Sequence, residues 1–290
     1  MTDADRRRFD TVAAQAAATV MRRYSTSFSR ATALLREPDR TAIGTVYALV
    51  RVADEIVDGS FQDADPAERR TLLDDFERAT EAAMRTGHAT DLVIHAFAVT
   101  ARRCGITTDL TRPFFASMRT DLDRAEHDDA SLRRYIHGSA EVVGLMCLRV
   151  FLADEPDRAE RYERLVPGAV ALGAAFQKVN FLRDLAADHR ELGRTYLPGT
   201  SERLTDADRD RFCDEIDADL ALARTAALAL PRRSRCGVLA AHGLFAALSR
   251  RLRRTPARVL ATRRVRVPAA AKAAVVLGAI GADLRHPVTA

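Results

Sequence analysis

The chain has 290 residues, 47% hydrophobic and 29% charged, enough to bury a large core. Tryptophan is absent, there are only 14 glycines and 10 prolines, and alanine, leucine and arginine dominate, which excludes collagen-like, low-complexity and β-repeat proteins and favours helix. The net charge of +5 hides an asymmetry: residues 220–282 hold twelve arginines, one lysine and no acid, so that stretch carries +13 and the remainder −8.

Apolar residues recur at three and four positions almost throughout, and strand-like alternation is rare. The pattern predicts helices at 8–23, 25–35, 39–58, 66–86, 89–104, 107–125, 130–153, 156–165, 167–190, 207–229, 234–254 and 268–282. Connections are short and no Pro/Ser-rich linker divides the chain, so the expectation is one all-α domain over residues 1–290. The charged N-terminus, Met1 to Arg6, has no apolar run behind it, and no signal peptide is expected. Pro38-Asp39 opens the third helix, and Asp128-Asp129-Ala130-Ser131 opens the long central one. Gly59 and Gly193 stand where left-handed C-caps are expected. The apolar stretches 166–177 and 273–282 read as too short or too alanine-rich to span a bilayer. Cys104, Cys147, Cys213 and Cys236 form no CxxC pair, which argues against a disulfide scaffold or zinc ribbon and suits a reducing cytoplasm. They read as small core residues, as does Phe114-Phe115, and His95, His127, His137 and His189 are too scattered for a catalytic assignment.

Chemistry concentrates in two acidic i,i+4 pairs, one in each half of the chain. Tyr47, Arg51, Asp54 and Asp58 share one stripe of an otherwise apolar helix. Gln177, Asn180, Asp184 and Asp188 form a second such stripe, with Arg183 beside it. An acidic pair alone is common on helix surfaces. A charged stripe on a largely apolar helix is costly without a partner, so two of them imply a polar cavity inside a bundle. Carboxylates from two facing helices make a hard oxygen site of the kind magnesium prefers, with phosphate oxygens completing its shell. Arg51 and Arg183 are placed to bind the same phosphates. A structural ion-pair network between helices is the competing reading.

Four stretches resemble the phytoene/squalene synthases. Tyr24-Ser25-Thr26-Ser27-Phe28 followed by Arg51-x-x-Asp54-Glu55-x-x-Asp58 resembles their first half. Gln177-x-x-Asn180-x-Leu182-Arg183-Asp184-x-x-x-Asp188, then Gly193-Arg194-Thr195-Tyr196-Leu197-Pro198, resembles their second signature. Tyr135 to Gly144 resembles the family's central helix, and Arg264-Val265-Arg266-Val267-Pro268 with Lys272 its closing segment, so the likeness runs over about 14–275.

The resemblance implies an all-helical, single-domain isoprenoid-synthase bundle with a central cavity, and head-to-head condensation of two prenyl diphosphates in carotenoid biosynthesis. It implies magnesium, or manganese in its place, held by Asp54, Asp58, Asn180, Asp184 and Asp188. It makes the four aspartates, Tyr47 and Arg51 the catalytic set, and gives the diphosphate to Tyr24, Ser25, Ser27, Arg51, Gln177, Asn180, Arg183 and Arg264. Phe28, Thr32 and Phe181 fall on the pocket wall. The chain departs from the pattern at Glu55, Tyr24, Ala187 and Phe245, none of which removes a principal carboxylate. Thr32, one turn after Phe28, leaves a deeper pocket than a large aromatic and favours two C20 chains, giving phytoene, over two C15 chains. No Gly-rich nicotinamide fingerprint is present, and no nicotinamide cofactor is expected. Squalene, dehydrosqualene or a cyclised terpene remain alternative products, and an assembly factor or a basic-surface binding protein the non-enzyme alternatives. The arginine-rich segment lacks stacking aromatics, which argues against nucleic acid, and suits contact with anionic lipid. A cytoplasmic monomer or weak homodimer, peripheral to the inner face of the cell membrane, is the expectation.

Overall fold

The protein, seen in a computed structural model, is described for residues 3–61, 63–123, 127–187, 196–197 and 204–285. Its helices are α1 (Asp3–Tyr24), α2 (Thr26–Thr32), α3 (Asp39–Asp58), α4 (Pro66–Thr86), α5 (Leu92–Cys104), α6 (Thr108–Asp123), α7 (Asp129–Ile136), α8 (Val142–Leu152), α9 (Arg158–Ala187), α10 (Asp206–Leu228), α11 (Arg232–Arg253), α12 (Ala257–Leu260) and α13 (Ala269–Arg285). A π-turn, His137–Glu141, joins α7 to α8, and no strand occurs among the described residues. Local chemistry accounts for many boundaries. Asp65 and Asp91 accept from the third helical N–H of α4 and α5, and Pro66 sits at the first position of α4, where a missing N–H is harmless. Asp128 and Ser131 form a capping box at α7, as do Thr205 and Asp208 at α10.

Several expectations change. The predicted breaks at 153–156 and 166 reduce to one, because α9 runs unbroken through Pro167. Its packing along α10, with Gly168 against Ala226, overrides the local cost of proline. The central helix carries the π-turn, where Gly138 lies so close to the Pro113 carbonyl and Ser117 of α6 that no side chain would fit. The helix predicted at 25–35 ends at Thr32, and the short α12 was not anticipated. Gly59 is not left-handed; its φ is −106°, and the Glu55 carboxylate fills the space beside it. The left-handed caps are Gly87 and Gly105, while Gly193 lies outside the described residues. Two helical stretches, Asp129–Leu152 and Arg158–Ala186, are long and apolar enough to cross a membrane, contrary to the expectation of short stretches. Half or more of each apolar window is buried inside the bundle, as in core helices of a large helical protein.

The core divides around a central cavity. One cluster joins α3, α5, α6 and α8 through side chains such as Leu49, Phe97, Phe114 and Met146; the other joins α9, α10 and α12 through Leu182, Ile216 and Leu260. Between them α9 lies backbone-to-backbone against α8 and the π-turn, because Gly144 and Gly173 face the carbonyls of Ala169 and Ala140.

Candidate active site

A cavity of about 510 Å³ is lined by α2, α3, the π-turn, α8, α9, α10 and α11. Its two longest walls are graded. Along α3 the lining passes from Ile43 and Val46 to Tyr47 and Arg51, and along α9 from Leu165, Ala169 and Leu172 to Gln177, Asn180 and Arg183. The α9 face extends over about 27 Å at 1.5 Å per residue. Both helices start from one ion-pair network. Arg233 holds Asp39 at 3.2 Å, Glu155 at 2.8 Å and the Phe151 carbonyl at 2.8 Å, and Arg161 joins Glu155 to the Ala229 carbonyl. Two helices that leave a common base deliver their polar C-terminal residues to the same opposite end. The cavity is therefore apolar at its base and charged at its far end.

On the α3 side, Arg51 is held by Asp54 and Glu55 and lies 4.5 Å over the Tyr24 ring. Glu55, 8% exposed, also accepts from the N–H and hydroxyl of Ser60, at 3.0 and 2.6 Å, so it clamps the end of α3. Ser25 caps α2 by accepting from the Phe28 N–H at 3.1 Å, which fixes Phe28 5.6 Å from Tyr47. Burial raises the Tyr47 phenol above its ordinary value, against the lowering pull of Arg51, so it stays a proton donor. Asp58 occupies the last turn of α3. Thr32, 3% exposed, lines the cavity beside Phe28.

On the α9 side, Asp184 takes Arg183 on one flank and Arg264 on the other, the latter at 2.7 Å across eighty residues of chain. Gln177, Asn180, Arg183 and Arg264 all line the cavity. Asn180 Oδ1 is buried with no hydrogen-bond partner among the described residues. The Ser27 side chain and Asp188 lie outside what is described.

Two corrections concern roles. Phe181 is not pocket wall; 3% exposed, it stacks on Tyr196 at 4.6 Å, in a cluster where Tyr135 and Tyr196 both donate to buried Asp121. One residue past Asn180, it is turned by about 100° onto the core side of α9. The acids also pair with the arginines directly: Arg51 and Arg183 line the cavity, and Asp54 and Asp184 bind them. Sequence reasoning missed the Glu55 clamp at the end of α3 and two wall features, the Ser139 hydroxyl at the π-turn and the stack of Phe176 on Phe245 at 3.7 Å. Phe245 was noticed only as a departure from tyrosine; its ring partner on α9 carries no sequence signal. Cys147 also lines the cavity, its thiol pushed up to about 12 by burial.

The donors fit a hard divalent cation. They are oxygens only, from two carboxylates on α3 and from Asn180 and Asp184 on α9, and the orphaned Asn180 oxygen is a ligand in search of a partner. Among the described residues, no three His, Cys, Asp or Glu side chains already converge as a metal cluster.

Helices wrapped around an amphipathic cavity, with carboxylates and arginines at one end, define an isoprenoid-synthase bundle. A solved dehydrosqualene synthase shares this fold with a TM-score of 0.77, over 94% of this chain and 96% of that one, at 19% identity. A squalene synthase from Alicyclobacillus acidocaldarius follows at 0.67, over 87% and 95%, at 21% identity. The squalene/phytoene synthase family model matches residues 21–271, and the chain belongs to that family, whose members are prenyltransferases that bind diphosphate through divalent metal. A phytoene synthase of Arthrospira platensis is 34% identical over 182 residues, 60% of this chain and 57% of that protein. A 4,4'-diapophytoene synthase of Staphylococcus haemolyticus is 28% identical over 208 residues, 69% of this chain and 66% of that protein. The matched stretch thus spans little more than half the length of the first relative.

Proposed function

We propose that the chain joins two geranylgeranyl diphosphates head to head to give phytoene and two diphosphates. The polarity gradient of the cavity carries this reading: an apolar floor for prenyl tails, and arginines, carboxylates and amides gathered where diphosphates would sit. Magnesium or manganese, held by Asp54, Asp58, Asn180, Asp184 and Asp188, would supply Lewis-acid neutralisation of the leaving diphosphate.

The remaining roles belong to side chains. Arg51 and Arg183 each have guanidinium donors beyond those given to carboxylates, and these take phosphate oxygens, with Arg264 beside them on the cavity lining. Arg51 Nε, buried without a hydrogen-bond partner among the described residues, is one. Tyr24, Ser25, Ser27 and Gln177 add neutral donors, and Tyr47 keeps its proton for the same task. Cleavage of one allylic C–O bond gives a cation, which the double bond of the second substrate attacks; loss of a proton leaves a cyclopropyl diphosphate. Cleavage of the second C–O bond, ring rearrangement and loss of another proton give the hydrocarbon. The Phe28–Tyr47 pair and the Phe176–Phe245 stack offer aromatic faces to passing cations, and the apolar walls exclude the water that would quench them.

Condensation of two C15 chains is the second reading, favoured by the likeness to dehydrosqualene and 4,4'-diapophytoene synthases. Thr32, small and buried on the wall, supports the longer substrate. Incubation with C15 and C20 diphosphates plus magnesium, with products identified by mass, separates the two. The expected product is a C40 hydrocarbon; C30 hydrocarbon from C15 substrate with none from C20 overturns the proposal.

A further inference from the structure

The C-terminal helix α13 turns an apolar face away from the bundle. Ala269, Ala273, Leu277, Ile280 and Leu284 fall on one stripe of a 3.6-residue helix, and all five are exposed. Leu277 and Leu284 are 69% and 68% exposed. The opposite stripe packs inward: Val275 occupies the space beside Gly243 of α11, and Ala279 and Ala282 join the core. Asp283, the one acid in α13, pairs with Arg235 at 3.0 Å on the inner side. The outward stripe therefore carries no negative charge.

The segment leading into this helix is cationic and not neutralised. Arg254, Arg258, Arg263 and Arg266 are exposed and have no carboxylate partner among the described residues. Neighbouring arginines behave differently: Arg233, Arg235, Arg253 and Arg264 each pair with an acid. Exposed cations without carboxylate partners among the described residues, leading along the chain into a helix with an outward apolar stripe, fit a surface that is anionic and greasy at once.

We propose that α13 docks in the plane of an anionic lipid bilayer, with Leu277, Ile280 and Leu284 among the acyl chains and Arg258, Arg263 and Arg266 among phosphate headgroups. A second copy of the chain is a poorer occupant. Pairing α13 with itself would cover the leucines, but its outward stripe offers no acid to the unneutralised arginines of either copy. Nucleic acid would satisfy the arginines and leave the leucines in water. The inference does not rest on the catalytic reading, since it concerns a surface outside the cavity.

The test uses the full chain without substrate. It compares co-sedimentation with phosphatidylcholine vesicles and with vesicles enriched in phosphatidylglycerol. The wild type binds the anionic vesicles and not the neutral ones, and added salt weakens the binding. Each basic residue near such a surface strengthens binding about fivefold, so R258A/R263A/R266A loses on the order of a hundredfold. L277E/L284E loses at least about tenfold while its circular dichroism and melting temperature stay those of the wild type, since both leucines are exposed. Equal binding to both vesicle types, binding to neither, or a leucine variant that binds like wild type overturns the proposal. A leucine variant that turns a dimer into a monomer without changing vesicle binding overturns it in favour of self-association.

Discussion

At the base of the cavity Asp39 is fully buried beside Arg233, whereas at the far end Asp54 and Asp184 stand 37% and 21% exposed beside Arg51, Arg183 and Arg264. The residue types are the same, and the burial of one acid is not: Arg233 and Glu155 are 20% and 18% exposed, much like Arg183 and Asp184, and only Asp39 is sealed from water. Arg233 has Asp39, Glu155 and the Phe151 carbonyl as fixed partners, and none of the three charged side chains lines the cavity. Such a buried pair ties the starts of α3 and α11 to the α8–α9 connection, and removal of one partner strands the other. At the far end water reaches the ions, partial exposure weakens each pair, and partners can be exchanged for a ligand. Charge that is locked away shapes the fold, and charge that stays wet is free for chemistry.

The largest expected effect breaks the wet end. Asp184→Asn removes the carboxylate shared by Arg183 and Arg264, and turnover falls on the order of 10²–10³-fold while the melting temperature stays close to wild type. Steady-state diphosphate release and a thermal melt check both halves. The reverse pattern is expected at the base: Arg233→Met leaves Asp39 buried without its guanidinium and costs about 3 kcal/mol of stability, with activity per folded molecule retained. Denaturant unfolding reads this directly. A smaller effect sharpens the comparison along the wall. Thr32→Phe fills the buried space beside Phe28 and lowers C20 use relative to C15 use by about tenfold, measured as the product ratio in a mixed incubation. The smallest is a pH effect. Burial pushes the Asp39 carboxyl up to about 6, from 3.8, against the pull of Arg233. The folded state then holds a proton that the unfolded chain has released, so this group's contribution falls as pH rises from about 4 to 6 and is flat above. Melting temperatures of wild type and Asp39→Asn across that window should differ in slope, with the variant the flatter.

Much of this was legible from residues near one another in sequence. The stripe of Tyr47, Arg51, Asp54 and Asp58 is set by helical period alone, and Asp128 announces a helix start through backbone chemistry that acts over three residues. What was not legible depends on distant partners. Pro167 reads as a break until α10 supplies the packing that carries α9 through it. Phe181 reads as pocket wall until Tyr196 claims its ring, and Glu55 as a lengthened acid until Ser60 and Arg51 show it clamping a helix end. The outward stripe of α13 was hidden because alanine and leucine at helical spacing look alike whether they face a core or a surface.

Calorimetric titration of inorganic pyrophosphate into the protein, with and without magnesium, tests most directly whether the far end of the cavity is a cation-assisted diphosphate site. Tight binding only with magnesium, abolished in Asp184→Asn and kept per folded molecule in Arg233→Met, is the predicted result. Pyrophosphate binding indifferent to magnesium and to Asp184, or none under either condition, contradicts the account.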